Sequence, residues 1–194
     1  MAKISRDSLM TLEVYAKSRN DFRAKVIAHK KNRTVTLGEH VTLVFEDEMT
    51  MRYQIQEMLR VEKIFEEAGI QDELNAYNPL IPDGNNWKAT MLIEYPDVDE
   101  RRRMLERLIG VEDHVWVQVG ECARSYAIAD EDMERENAEK TSAVHFLRFD
   151  LTPEMAQHLH QGDTLKIGVD HPNYQASVVA SSAVRLGLSA DIEG

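Results

Sequence analysis

Cysteine is nearly absent from this sequence, and so are the segments that mark secreted and membrane proteins. The only cysteine among 194 residues is Cys122, which excludes an internal disulfide framework and a cysteine-rich zinc or iron–sulfur site. No run approaches the ~18 consecutive apolar residues of a membrane-spanning helix, and residues 1–7 turn polar too early for a signal peptide. We therefore expect a protein of the reducing cytoplasm that does not enter a membrane.

Several sequence motifs of common enzyme classes are also missing. The chain contains no G-x-G-x-x-G, no phosphate-binding G-x-x-x-x-G-K-[ST], no G-x-S-x-G nucleophile turn and no H-E-x-x-H zinc motif. These absences argue against the commonest dinucleotide-binding, P-loop, hydrolase and metalloprotease designs. Any chemistry must come from residues that the fold brings together.

The composition is that of an ordinary globular domain with an acidic surface. Hydrophobic residues make up 43% and charged residues 29%, and 23 Lys and Arg against 34 Asp and Glu give a net charge of −11. Domains cluster at roughly 100–200 residues. We expect residues 1–194 to form a single domain, with a helical N-terminal arm at 1–31 and a mixed α+β body at 33–180.

Charge is unevenly distributed along the chain. Residues 17–33 contain seven basic residues and one acid, whereas Glu46–Glu48 and Asp130–Glu139 are acidic. We interpret the basic stretch as a solvated helix face and both acidic stretches as solvated connectors. Binding to nucleic acid is not expected, because the acidic body favours a protein or a small molecule over a polyanion.

Hydrophobic patterning predicts more strands than helices. Branched residues in Thr34–Leu37 and Val41–Phe45 flank a short link containing a glycine, which predicts a hairpin. Most other neighbouring strands are also joined by links too short for a parallel crossover. The fold class is therefore expected to be α+β: a single compact domain with a mostly antiparallel (mixed) sheet and helices packed on it.

A long helix is predicted from Thr50 to Ala68, ending at Gly69. At 100° per residue, Glu62 lies in the middle of its apolar stripe. Because a buried carboxylate costs several kcal/mol without a partner, Glu62 must either pair with an arginine such as Arg52 or Arg148, or serve as a metal ligand or proton acceptor.

Four residues are kept as catalytic candidates. Glu57 points away from the apolar stripe of the predicted helix and alone would be a surface residue. Arg148 lies among apolar neighbours in the strand predicted at 142–149, and Asp170 directly follows a predicted strand. The catalytic candidates are Glu62, Glu57, Arg148 and Asp170.

Two histidines are candidate metal ligands. His145 lies on an apolar strand, where a lone histidine is more often a hydrogen-bonded core residue. His171 precedes Pro172, which favours an extended conformation, although a tight turn is the favoured interpretation of residues 170–174. If the fold joins His145 and His171 to Glu62, the set has ligand types suited to a divalent metal ion such as zinc, iron or manganese.

Residues 69–87 form the most unusual segment. Its prolines, asparagines and glycine argue against a helix or a strand, yet it has apolar residues to bury. We expect an ordered loop that walls a pocket or docks a partner, or else a plain Ω-loop. Its candidate binding residues are Asn75, Tyr77, Asn78 and Trp87.

Four segments together carry a family resemblance. They are Gln54–Met58, Ile70–Pro82, Glu139–Phe146 and Gly168–Pro172. With these segments the chain resembles an uncharacterised bacterial family of unknown function and of about this length. Members of that family are often encoded beside rubrerythrin-like proteins and iron–sulfur oxidoreductases, so the resemblance implies a redox or peroxide-response setting.

Two functions are therefore predicted for this protein. The first is an accessory or binding domain whose partner is a rubrerythrin-like protein or an iron–sulfur oxidoreductase. The alternative is a metal-dependent enzyme or metal-binding protein that uses Glu62, His145 and His171. The sequence leaves open whether the protein is an enzyme and which cofactor it binds; a divalent metal ion is the candidate, and no cofactor-binding residues are predicted.

Overall fold

The structure is a computed structural model that describes residues 3–129 and 140–193. The acidic stretch at 130–139, predicted to be a solvated connector, lies outside the described residues. Within the described ranges, no helix combines the length and the apolar character that a membrane crossing requires.

Helices and strands alternate irregularly along the chain. The helices are α1 (Leu12–Lys30), α2 (Glu48–Val61), α3 (Glu67–Tyr77), α4 (Val98–Arg107), α5 (Pro153–Gln161) and α6 (Ser182–Ser189). The strands are β1 (Thr34–Leu37), β2 (Val41–Phe45), β3 (Asn86–Ile93), β4 (Val115–Val119), β5 (Ser125–Tyr126), β6 (Ile128–Ala129), β7 (Val144–Asp150), β8 (Leu165–His171) and β9 (Tyr174–Val179).

The strands form two antiparallel sheets, with the orders β1-β2-β3-β7-β6 and β5-β4-β8-β9. The α+β class and the predicted hairpin of β1 and β2 are confirmed. Residues 125–129 contribute to both sheets. β5 pairs with β4 in the second sheet, and β6 pairs with β7 in the first.

The main hydrophobic core is built from both sheets. It joins apolar side chains of β2 and β3 to those of β4, β7 and β8. Trp87 is fully buried within it, packs edge-on against Phe45 at a ring-centroid distance of 6.0 Å, and donates its indole N–H to Leu188 O at 2.9 Å. Burial alternates along β3 and β7, which is the period-two pattern of strands that cover a core on one face.

A second, smaller cluster joins the N-terminal segment to α2 and α3. It contains Ile4, Leu9, Met51, Ile55, Leu59, Ile70, Leu74 and Ile81. The Asn78 side chain accepts a hydrogen bond from Ile4 N at 2.8 Å and donates one to Ile4 O at 2.9 Å. These two bonds hold the start of the chain against the 3-10 turn that follows α3.

The helix predicted from Thr50 to Ala68 is two helices. α2 ends at Val61, and Lys63 adopts a left-handed conformation with φ +55°. The Ile64 N–H then bonds to Leu59 O at 2.9 Å, which is the 6→1 bond of a Schellman motif. Because the left-handed position is occupied by lysine, the sequence hides this break, and Gly69 lies inside α3 instead of ending a helix.

The acidic stretch Glu46–Glu48 is not a solvated connector. Glu46 and Asp47 are buried, and the Asp47 side chain caps α2 by accepting a hydrogen bond from Thr50 N at 3.0 Å. Asp47 also lies 3.4 Å from Arg33, which is buried as well. The basic stretch at 17–33 is therefore only partly a solvated face.

Candidate functional site

Glu62 is not buried in an apolar stripe, contrary to the prediction. It is exposed and forms the C-cap of α2. The predicted helical angle holds only for a helix that continues past Glu62, whereas the chain turns at Lys63. Because Glu62 is exposed, its carboxylate does not require a cation or a metal ion to compensate for burial.

Glu57 is the carboxylate of α2 that is enclosed by hydrogen-bonding side chains. It accepts hydrogen bonds from Arg19 Nε at 2.7 Å and Nη2 at 2.8 Å, from Tyr15 Oη at 2.6 Å and from Arg60 Nη2 at 3.1 Å. The bonds from Arg19 outweigh partial burial and, together with those from Tyr15 and Arg60, lower the pKa of Glu57 from 4.5 to about 2. Burial, followed by the bond to Glu57, raises the pKa of Tyr15. This arrangement ties α1 to α2 and keeps Glu57 ionised.

Glu57→Gln is expected to reduce the free energy of unfolding at pH 7 by about 1–3 kcal/mol. Since the pKa of Glu57 is depressed in the folded state, its contribution is complete above pH 4.5 and is lost as the pH falls towards 2. Urea unfolding at pH 7 and pH 3 should therefore show that the free energy of unfolding falls less between these two pH values in Glu57→Gln than in the native protein. Glu13→Gln, at an exposed pair with Lys17, is the control and should change neither value.

His145 and Arg148 lie on opposite faces of β7, as the alternation predicts. His145 is buried, and its Nε2 lies 3.0 Å from both Thr141 Oγ1 and Ser142 O. Arg148 is half-buried, with its Nε 3.1 Å from Asp150 Oδ1. These contacts match the interpretation of His145 as a hydrogen-bonded core residue.

The three predicted metal ligands are not brought together. His171 is buried at the end of β8, donates from Nε2 to Ile109 O at 3.1 Å and accepts from Asn173 N at 3.2 Å. Both of its ring nitrogens are therefore engaged by backbone. Among residues 3–129 and 140–193, Glu62, His145 and His171 do not form a group of three neighbouring ligand atoms.

The predicted binding loop is largely regular and partly internal. Residues 69–77 belong to α3, so the expected irregular structure is wrong there. Trp87 is a core residue and Asn78 bonds the N-terminal backbone. Asn75 is exposed and Tyr77 half-buried, and a binding role for these two residues stays a prediction.

Asp170 is the sequence candidate around which polar side chains do converge. Its Oδ2 accepts a hydrogen bond from Tyr126 Oη at 2.8 Å and one from Arg124 Nη1 at 3.0 Å. Its Oδ1 lies 3.3 Å from His114 Nδ1. Partial burial raises the pKa of Asp170, but the bonds from Tyr126 and His114 and the charge of Arg124 outweigh it, so the pKa is lowered overall.

Trp116 and Arg124 are stacked on the outer face of the second sheet, beside Asp170. Trp116 pairs with Gly168 across β4 and β8, and a Cβ on Gly168 would lie only 2.4 Å from Trp116 Cζ2. The indole therefore lies flat against the sheet and is only 4% exposed. The Arg124 guanidinium covers it, with Cζ 3.9 Å from the ring centroid.

A small polar concavity of about 280 Å³ opens beside this stack. Its walls include Trp116, Arg124, Asp170, Gln175 and Ser177. The buried Trp116 Nε1–H has no hydrogen-bond partner in the part of the chain that the structure describes. Such an orphaned buried donor is costly, and it belongs to a side chain that lines the concavity.

A larger hollow of about 850 Å³ lies at the first sheet, but two of its polar side chains, His40 and Arg101, are already bonded to backbone carbonyls. His40 stacks on Tyr95 at 3.9 Å and its Nδ1 bonds to Glu94 O at 2.9 Å. Arg101 Nη1 donates to Tyr95 O at 3.2 Å. The Trp116–Arg124–Asp170 cluster is therefore the better candidate site.

Sequence reasoning found Asp170 and His171 but missed Trp116, Arg124 and His114. A glycine within a strand often marks close approach by another group, and Gly168 was a usable signal of this kind. Its partner could not be read from the sequence, because 51 intervening residues separate Trp116 from Gly168.

The fold and this cluster define an α+β protein with a polar site on the open face of its second sheet. The chain belongs to the family described as "Protein of unknown function (DUF3501)", which matches residues 3–192. It is 54% identical to a novel protein of unknown function from Burkholderia pseudomallei K96243, whose crystal structure it resembles with a TM-score of 0.94 over 99% of this chain and 100% of that one. No curated protein matches the chain. The predicted membership of a family of unknown function is thus confirmed.

Proposed function

We propose that this protein is a cytoplasmic accessory or binding domain in a redox or peroxide-response setting, and that it binds its partner through the Trp116–Arg124–Asp170 cluster. The partner is a rubrerythrin-like protein or an iron–sulfur oxidoreductase, as the family resemblance implies. The observation that carries the binding role is the buried Trp116 N–H beside Arg124, which has no hydrogen-bond partner among residues 3–129 and 140–193.

The residue types of the cluster support a protein partner. Trp, Tyr and Arg are the side chains most enriched in interface hot spots, and Trp116, Tyr126 and Arg124 occur together here. Tyr126 is 44% exposed, and the neighbouring edge strand β9 exposes Val179 at 54%. This surface offers apolar area next to a few directed polar groups, which is the usual anatomy of an interface.

The open shape of the concavity favours a partner's side chain over a cofactor. Its volume of about 280 Å³ is at the lower end of small-molecule pockets, but such pockets enclose most of their ligand, whereas this one is open to solvent. A side chain that carries an acceptor oxygen fits the chemistry, since Trp116 Nε1 and the remaining N–H groups of Arg124 are donors. The alternative function, a metal site of Glu62, His145 and His171, has no comparable geometric support.

Arg124→Ala is expected to weaken partner binding at least about tenfold, as truncation of a hot-spot arginine does. Purified rubrerythrin-like and iron–sulfur oxidoreductase proteins from the same genome would be titrated into the full-length protein. Trp116 emission would report binding, because Trp87 lies in the core and should not respond.

The matched control for this experiment is Arg103→Ala, which removes an exposed arginine of α4. It should bind like the native protein. If neither partner binds, or if Arg124→Ala and Arg103→Ala weaken binding equally, the proposed function is wrong.

A further inference from the structure

Three segments meet at one end of the second sheet, and Asp170 lies at the other end. Val119 at the end of β4 pairs with Leu165 at the start of β8, so the turn after β4 lies beside the turn before β8. Cys122 belongs to the first turn and its N–H bonds to Val119 O at 3.0 Å. α5 packs on β4 and leads into the second turn through Gly162.

A potential ligand set occurs where these segments meet. One ligand atom from each of Cys122, Glu154 and His158 lies within 4.8 Å of the other two. Glu154 and His158 are four residues apart on α5, so they share one face of the helix. Ligand atoms around a tetrahedral zinc ion lie roughly 3.3–3.8 Å apart, given bonds of about 2.0–2.3 Å. Side-chain rotations that shorten the distances between the three ligand atoms by about 1 Å would give this tetrahedral spacing.

A fourth residue orients the histidine of this group. His158 Nδ1 lies 2.7 Å from Asp163 Oδ2, so the imidazole donates from Nδ1 and leaves Nε2 available as a ligand. Metal-bound histidines almost always donate their other ring N–H to a carboxylate, a backbone carbonyl or a water molecule, and Asp163 is such a partner. Asp163 is packed closely against Gly120, where a Cβ would lie 2.8 Å from Asp163 Oδ2.

We propose that Cys122, Glu154 and His158 bind a divalent transition-metal ion, with Asp163 as a positioning residue. Sulfur, nitrogen and carboxylate oxygen together suit zinc best, and three protein ligands leave a fourth position for water or a partner group. The carboxylates of Glu154 and Asp163 beside the thiol also create a negative site that a cation neutralises. This site is separate from the cluster around Trp116 and uses none of the three ligands predicted from the sequence.

Titration of the full-length protein with Co²⁺ alone tests the site directly. The native protein should bind one equivalent with a thiolate-to-cobalt absorption band in the near ultraviolet, and Zn²⁺ should displace the cobalt. Cys122→Ser should lose the band, and His158→Ala and Glu154→Gln should each weaken binding at least about tenfold. Asp163→Asn should keep the band but weaken binding by roughly 10–100-fold, as loss of a partner of a metal-bound histidine does.

His160→Ala is the matched control, because it removes an exposed histidine of the same helix. It should keep the band and the affinity of the native protein. Circular dichroism would verify that each variant is folded, and Glu154→Gln, at an exposed position, tests the site even if Cys122→Ser does not fold. No stoichiometric binding by the native protein, or a band that survives Cys122→Ser, would overturn the proposal.

Discussion

Arg33→Ala is expected to lower the free energy of unfolding by about 3–5 kcal/mol, because it leaves uncompensated charge in a buried network. For a chain of this length, that loss corresponds to a decrease in melting temperature of roughly 10 °C. Chemical and thermal unfolding would be followed by the emission of Trp87, which bonds to Leu188 near the same network.

The expected effect follows from what Arg33 holds together. Its guanidinium forms an ion pair with Asp191 and donates to Phe45 O at 2.9 Å and Glu46 O at 3.2 Å. Asp191 is only 6% exposed, and burial raises its pKa despite the opposing effect of Arg33. Loss of Arg33 would leave this buried carboxylate without its ion-pair partner and the Phe45 and Glu46 carbonyls without this donor.

Arg23→Ala provides the control, since Arg23 is exposed on α1, and it should change stability by less than about 0.5 kcal/mol. The double variant Arg33→Met with Asp191→Leu removes both charges and should recover part of the loss. A loss below about 1 kcal/mol in Arg33→Ala would contradict the assigned role of the network.

The elements with local signals were predictable from the sequence. The hairpin of β1 and β2 is marked by branched residues around Gly38. α5 is marked at its start by Thr152 and Pro153 and at its end by Gly162, whose φ is +95°. In each case the information lies within a few residues of the element itself, so no long-range contact is needed to find it.

The candidate site was less predictable, because its geometry depends on the tertiary structure. Glu62 is exposed because the chain turns at Lys63, whereas Glu57 is internal because α1 packs on α2 and brings Tyr15 and Arg19 to it. Asp170 is predictable as a residue next to a strand end, but its partners come from the 3-10 turn before β4, from β5 and from the turn between β4 and β5. The division of residues 125–129 between two sheets brings Arg124 and Tyr126 to Asp170, and no local pattern indicates that division.

Gly168→Ala is expected to destabilise the protein by about 2–3 kcal/mol and to disrupt the candidate binding site at the same time. Its Cβ would lie 2.4 Å from Trp116 Cζ2 and 2.9 Å from Ala176 O. The indole can move away, whereas the Ala176 carbonyl belongs to the backbone of β9 and cannot move cheaply. We therefore expect Trp116 to leave the sheet, which should shift its emission to longer wavelength and weaken partner binding.

A double-mutant cycle with Trp116→Ala separates the two contacts of the added methyl group. If the clash with the indole dominates, Gly168→Ala should cost less in the Trp116→Ala background, and the remaining cost measures the contact with Ala176 O. Equal costs in both backgrounds would show that Gly168 is required by the backbone of β9 alone. In that case the close approach of Trp116 would not explain why glycine occupies this strand position, and the emission of Trp116 should stay unchanged in Gly168→Ala.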